Sequence, residues 1–403
     1  MWGYAGVIRM SEGAFQQHDQ AAQSPSRLRE VAQLTLAHLI NDIYAPVLMA
    51  LQPLLITTLG YSYTQAALLP VMHSLISSLL QPIIGSLADR RGFRVSVAVS
   101  VLLSGCGVAF LGLLSNNYLA MLCSVSIAAV GVATFHPGAL CKVAAIAVSS
   151  NRGRLTSFFI VGGNLGQALG PIIGGIVITR GGLPAVTWLL IPAFLGSLLL
   201  TVRPIPDTFP AAAQQTEARG EENWRPVILL FAGSTLRSWV TFGAMTFLPT
   251  YLVLSGYPLI EATFFISSML LAGVCGQLAG GFVSDRVGRK PVAVATTLCS
   301  IPAFAAILLT HGALQIAMML CFGFFLWASF SVTIAMAHEL MPSRIGLISG
   351  LFMGIAMGAG GLGVSVSGVI ADHFGLTATL SVFPALILAA ALLFAVVGYP
   401  RRC

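Results

Sequence analysis

Charge is what this chain lacks. Of its 403 residues only 8% are Asp, Glu, Lys or Arg, while 57% are hydrophobic. A soluble domain carries about 25% charged residues, so a water-facing globular fold is excluded and lipid becomes the solvent. Also missing is the two-residue alternation of a membrane barrel strand. Apolar runs such as 95–114 and 380–397 instead continue for about twenty residues, the length a helix needs to cross about 30 Å of hydrocarbon. No apolar stretch of useful length lies in 1–26, where Gln16, Gln17, His18, Asp19 and Gln20 cluster, so no cleaved signal is expected there. The 7 cysteines include no Cys-x-x-Cys pair. No His/Cys set has metal spacing, and no Gly-Lys-Ser/Thr phosphate loop or nucleophile motif occurs. Disulfides, metals, cofactors, ATP-driven pumping and enzymatic catalysis are therefore not expected. Cys106, Cys123, Cys141, Cys275, Cys299 and Cys321 read as small buried hydrophobes.

What is present is a series of apolar segments cut by turns and charge. Twelve spans are expected: 32–59, 64–86, 95–115, 118–147, 153–179 and 183–203, then 226–255, 260–283, 291–311, 313–337, 345–371 and 376–399. The stretch 204–225, PIPDTFPAAAQQTEARGEENWR, is polar and proline-bearing and reads as a cytosolic linker between an N-terminal six-helix bundle (32–203) and a C-terminal one (226–399). Residues 1–31 read as a cytosolic tail. With both termini in the cytosol, 17 of the 20 Lys and Arg fall in cytosolic loops or tails, the exceptions being Lys142, Arg180 and Arg237. Basic residues gather on that side of a membrane, so the net charge of +7 is a topology signal and no argument for nucleic acid.

The chain repeats itself. A shift of 196 residues carries Pro53 onto Pro249, Gly60-Tyr61 onto Gly256-Tyr257, Gln81 onto Gln277, Gly85 onto Gly281, Asp89-Arg90 onto Asp285-Arg286 and Gly92 onto Gly288. Later the better shift is 194, which puts Phe158 on Phe352 and Gly181 on Gly375. Two parallel six-helix repeats are a way secondary transporters are built, with the substrate site at the midplane between halves. Small-molecule substrate, protons and bilayer are the expected partners, and a monomer the expected state.

Twelve of the 13 acids fall in tails, loops or span ends; Asp42 alone lies mid-membrane, about 15 Å into the first span. A lone carboxylate there must find a partner or a proton. His38 is four residues earlier, on the same helical face, and Asn41 adjoins it. Asp42 with His38 is therefore the first candidate for proton coupling. Arg237 is the second singular residue, and under the shift of 196 it falls on Asn41. Two readings stay open: a permanent ion pair with Asp42, or a guanidinium that receives an anionic group of the substrate. His136 precedes Pro137, which frees a backbone carbonyl in the fourth span. Asn164 and Gln167 are candidate polar groups of the cavity. In the fifth span Gly162, Gly166, Gly170 and Gly174, with Pro171, form a stripe for close helix packing. His73, Gln81 and Gln277 read as packing partners.

The phrase Gly85-x-x-x-Asp89-Arg90-x-Gly92-x-Arg94, repeated over Gly281, Asp285, Arg286, Gly288 and Arg289, resembles the loop signature of the major facilitator superfamily. Phe93 stands where that signature usually has a basic residue. The resemblance implies that the Asp and Arg of each phrase bridge neighbouring helices as a conformational gate. GQALGPIIGG (166–175) resembles the antiporter motif of drug/proton exchangers in that superfamily. HLIND (38–42), SLLQP (78–82) and FHP with SFFIVGGNLG (135–137, 157–166) resemble the fosmidomycin-resistance proteins, a bacterial efflux branch. The shared motif adds His136 to the proton-coupling candidates, although Gly138 replaces the acid that often follows the His-Pro pair. The resemblance implies an all-α inner-membrane antiporter that exports small organic compounds, with a phosphonate among the substrates. An importing proton symporter of organic anions and a non-transporting receptor are the alternatives.

Overall fold

The computed structural model describes residues 25–91, 95–146, 152–205, 224–342, 347–348 and 351–399. Gly92, Arg94, most of the expected linker and the expected N-terminal tail up to residue 24 lie outside the described residues.

Twelve helices follow one another: α1 Pro25–Thr57, α2 Tyr63–Arg91, α3 Val97–Ala109, α4 Tyr118–Ile146, α5 Arg152–Gly181, α6 Leu190–Val202, α7 Trp224–Leu254, α8 Leu259–Val287, α9 Arg289–Leu309, α10 Gly312–Leu340, α11 Ala356–Phe374 and α12 Leu376–Val396. Among them α3 is continued by a 3₁₀ turn, Phe110–Gly112, α6 is preceded by a 3₁₀ run, Leu183–Leu189, and α11 by a π turn, Leu351–Ile355. Among the described residues, ten segments are long and apolar enough to span a membrane. Proline interrupts several, including α1 at Pro46 and Pro53 and α4 at Pro137, as neighbouring helices in a bilayer allow.

The internal repeat is visible at the turns. Gly60 (φ 73°) and Gly256 (φ 97°) link α1 to α2 and α7 to α8, both left-handed as only glycine adopts freely. The tyrosine after each glycine ties the turn to the next loop: the Tyr61 hydroxyl donates to Ser115 O, and the Tyr257 hydroxyl accepts from the Gly312 N–H, each at 2.7 Å. Later the structural offset is 193: Gly182 (φ 69°) and Gly375 (φ 86°) close α5 and α11, donating to Ile178 O and Ala371 O. The shift of 194 read from Gly181 is therefore one residue too long at this turn, because the left-handed position falls on the second of the two glycines.

Each half has its own core. Tyr44, Phe135 and Leu34 are fully buried in the first; Phe304 packs against Phe322 and Phe383, at 4.9 and 5.6 Å between ring centres, in the second. Met49, Ala67, Val71 and Ala168 of the first half join the core of the second, so the halves share an apolar seam. The outer surface is apolar too: Phe282, Phe374 and Leu309 are 72, 75 and 82% exposed, as lipid permits. Cysteines follow this pattern and correct the expectation of burial: Cys123, Cys141, Cys275 and Cys299 are exposed, because a small apolar side chain costs nothing against acyl chains.

Where lipid surrounds the protein, hydrophobic burial no longer drives helices together, and close contact of small residues does. The stripe on α5 makes that contact with α1. A Cβ added at Gly162, Gly166 or Gly170 would meet the carbonyl oxygens of Thr35, Leu39 or Ile43 at 2.5, 2.3 and 2.6 Å. Each step of four on α5 thus meets a step of four on α1. Gly174 continues the line, its Cβ falling 2.9 Å from that of Ala50. This seam fixes the height of the helix that carries Asp42.

Candidate functional site

Asp42 lies in the middle of α1, 5% exposed, and four side chains from three helices converge on it. On α1 itself, His38 Nε2 is 3.3 Å from Oδ2. The neighbouring Asn41 donates its Nδ2–H to Oδ1 at 3.0 Å. From α4, His136 Nε2 is 3.4 Å from Oδ1. From α5, Gln167 Nε2 donates to Oδ2 at 3.4 Å. Asn41 is held in turn by the Ser104 hydroxyl of α3, which donates to its Oδ1 at 2.8 Å. Three proton-coupling candidates, His38, Asp42 and His136, are thereby one cluster. Asn41 and Gln167, expected to meet substrate, each donate to its carboxylate. Asn164 is half-buried, three residues before Gln167.

The orientation of the two imidazoles determines what the cluster can do. His38 Nδ1 faces Phe159 O at 2.9 Å, and His136 Nδ1 faces Val132 O at 3.0 Å. A carbonyl only accepts, so both Nδ1 atoms carry hydrogen. Both Nε2 atoms then face Asp42. With neutral rings and an ionised carboxylate, lone pair would meet lone pair at both contacts, so each contact calls for one proton. Zero, one or two protons give the cluster a net charge of −1, 0 or +1. Each of the two Nε2–carboxylate contacts is thus a place for one hydrogen. The three donor atoms lie within 4.8 Å of one another, close enough to share a single cation. The absence of a metal-spaced set in the linear sequence does not reveal this convergence, which joins residues nearly one hundred positions apart.

Access is unequal. His136 has a side-chain exposure of 30%, against 8% for His38. His38 is clamped against Phe159 with rings 4.2 Å apart. A Cβ at Gly163 would come within 2.3 Å of its Nε2. Thus Gly163, beside the stripe rather than on it, is what admits the ring. His73, on α2, is buried, and its Nε2 lacks a hydrogen-bond partner among the described residues. Sequence reasoning left it as a packing residue, since nothing local marks it.

Arg237, at mid-height on α7, is 4% exposed. Among the described residues no ion pair joins it to Asp42 or to any other acid. Its guanidinium carbon sits 4.9 Å from the ring centre of Phe330 on α10. Among the described residues its Nε has no hydrogen-bond partner, nor do the hydroxyls of Ser234 and Thr235, three and two positions before it. Of the two readings open for this residue, the permanent ion pair is not formed.

At the gate phrases, the side chains of Asp89 and Arg90 lie outside the described residues, and Gly85 has open space where a Cβ would stand. The second copy differs from expectation. Asp285 pairs with Arg289, Nη1 to Oδ1 2.6 Å, while Arg286 is exposed. Gly288 (φ 105°) turns the chain between α8 and α9, which brings Arg289 back over Asp285. Arg289 also reaches Glu339 of α10 at 3.2 Å, and Tyr399 bonds the same carboxylate. Glu339 went unremarked in the sequence because it is fifty residues away. Gly281 is uncrowded: a Cβ there would find Ser331 Oγ at 3.9 Å.

A family model described as Major Facilitator Superfamily matches residues 34–363. The chain is 30% identical over 377 residues to the fosmidomycin resistance protein of Escherichia coli (strain K12), covering 88% of this chain and 90% of that one. It is also 30% identical to YfnC, an uncharacterized MFS-type transporter of Bacillus subtilis (strain 168), covering 86% of this chain and 87% of that one. Among solved structures, a bacterial homolog of the human lysosomal transporter Spinster superposes with a TM-score of 0.80 at 16% identity, over 93% of this chain and 97% of that one. The D-xylose–proton symporter superposes with a TM-score of 0.70 at 17% identity, over 92 and 97%. These two likenesses concern the fold.

Proposed function

The chain belongs to the Major Facilitator Superfamily and is a multi-pass secondary transporter, and on that premise we propose that it exports small organic compounds in exchange for protons. The observation that carries the proposal is the His38–Asp42–His136 cluster. It sits at mid-height in the first half and calls for up to two protons. By alternating access, the cluster takes protons from outside and yields them to the cytosol, while cargo moves the other way. The end bearing the repeated charged phrase is the cytosolic one, which follows from the distribution of Arg and Lys. The membrane is the bacterial inner membrane, and the working unit is a monomer.

Arg237 receives an anionic group of the cargo. A buried guanidinium whose Nε is unpartnered is suited to a carboxylate or phosphonate, whose oxygens match its fork. A phosphonate is the cargo class suggested by the relative named for fosmidomycin resistance. The test is expression in a pump-deficient host across a compound panel that includes phosphonates. Wild type raises resistance to at least one anionic compound, and Asp42→Asn inserts normally yet does not. Unchanged resistance in Asp42→Asn would overturn the assignment.

One observation favours a second reading, proton symport of an organic anion into the cell. An anion at Arg237 and one proton on the cluster leave the whole seam neutral, so the two are electrically suited to travel together. Counterflow in vesicles of known orientation separates export from import.

A further inference from the structure

At the end opposite the charged phrase, helix α2 begins with a capping box. The Ser62 hydroxyl accepts from the Gln65 N–H at 3.1 Å, and Gln65 Oε1 accepts from the Ser62 N–H at 3.0 Å. The Ala66 N–H is satisfied by Ser62 O. Two N–H groups of the first turn, those of Tyr63 and Thr64, have no acceptor within the box. Both are taken by one carboxylate from the other half of the molecule. Asp372, near the end of α11, accepts from Tyr63 N at 2.7 Å through Oδ1 and from Thr64 N at 3.0 Å through Oδ2. The Thr64 hydroxyl also donates to Oδ2. Gly368, one turn before Asp372, makes the approach possible: a Cβ there would lie 2.9 Å from Thr64 Cα.

The pseudo-symmetric seam lies between α5 and α8, and it closes on uncharged groups. Gly175, the counterpart of Gly368 at the offset of 193, faces Thr263, and the Ile172 N–H donates to the Ser267 hydroxyl at 3.0 Å. The residue matching Asp372 at that offset is Thr179. Among the described residues, a charged clasp therefore exists on one seam and not on its twin.

We propose that Asp372 is a positioning residue of the transport cycle, a latch that holds the far ends of the two halves together by capping α2 from α11. Every bond it makes crosses between halves, and the site is exposed. Water can therefore replace the carboxylate when the halves part, which suits a clasp that must open each cycle. A carboxylate at a helix N-terminus also meets the positive end of the helix dipole. The latch rests on the alternating-access reading given above.

Hydrogen exchange on the full chain in lipid nanodiscs tests it. Asp372→Ala is expected to speed exchange about fivefold, the size of a lost helix cap, at residues 62–66 and also at 259–267 on the second seam. Asp372→Asn keeps the shape and one acceptor, folds as wild type does, and gives a smaller rise at both places. Faster exchange confined to 62–66 would mean a static cap and would overturn the latch, as would no change at either place. The two readings fail separately. If wild type never opens at 259–267 under any pH or cargo, alternating access itself is wrong. If wild type opens there and Asp372→Ala leaves that opening unchanged, only the latch is wrong.

Discussion

In the first half, the buried carboxylate of Asp42 is met by His38, His136, Asn41 and Gln167. In the second half, Arg237 is equally buried and meets a phenylalanine ring, with no acid beside it and its Nε unpartnered among the described residues. The internal repeat sets Arg237 against Asn41, so these are corresponding places in two copies of one bundle. One copy supplies its charge with its own partners. The other leaves its charge unanswered, and a buried cation without a counter-charge is costly unless something arrives to meet it. On the function proposed above, the contrast divides the labour of transport: proton handling in the first bundle, anion reception in the second.

Five substitutions break or sharpen that contrast. The largest effect is expected from Arg237→Gln, which removes the charge-assisted contact to an anionic cargo. Half-saturation for such a cargo should rise about 10- to 100-fold in uptake by inverted vesicles, with uncharged cargo little affected. Equal losses for both kinds of cargo would return Arg237 to a structural role. Next comes His136→Gln, which leaves His38 as the one histidine beside Asp42. Proton-driven transport should slow roughly tenfold, and fewer protons should move per cargo in a paired flux measurement. The third concerns the frame. Gly166→Ala drives a Cβ toward Leu39 O, separated by 2.3 Å before relaxation, and should cost about 1–3 kcal/mol in thermal unfolding. Gly281→Ala in the second half, where there is room, should stay within about 0.5 kcal/mol. Smaller than the cost at Gly166 is that of Ser104→Ala, which strands Asn41 Oδ1 without its hydroxyl donor. A loss of about 1 kcal/mol in stability is expected, with the affinity for anionic cargo unchanged.

Much of the fold could be read from the residues. The twelve helices follow from apolar length, and the repeat from a few glycines and tyrosines whose special dihedrals and hydroxyl bonds recur in both halves. Asp42 stood out because a mid-membrane acid is expensive, and His38 followed from helical spacing. What could not be read is what only folding brings together. Phe159 lies 121 residues from His38, whose ring its carbonyl orients; Ser104 lies 63 residues from Asn41. Gly163 looks like one more small residue until the ring it admits is in place. Arg289, rather than Arg286, pairs with Asp285 because Gly288 ends one helix and starts another, a change of direction that linear spacing does not carry. Of the two readings left open for Arg237, the ion pair with Asp42 is not formed among the described residues, where two histidines stand beside the acid instead.

The central claim is that the Asp42 cluster carries the coupling protons, and cargo-driven proton flux in oriented proteoliposomes tests it most directly. With a pH-sensitive dye inside, adding cargo to wild type should move protons opposite to the cargo, and Asp42→Asn should show none of that flux while still exchanging labelled for unlabelled cargo. If Asp42→Asn moves protons with cargo as wild type does, the protons travel by another route and the account is contradicted.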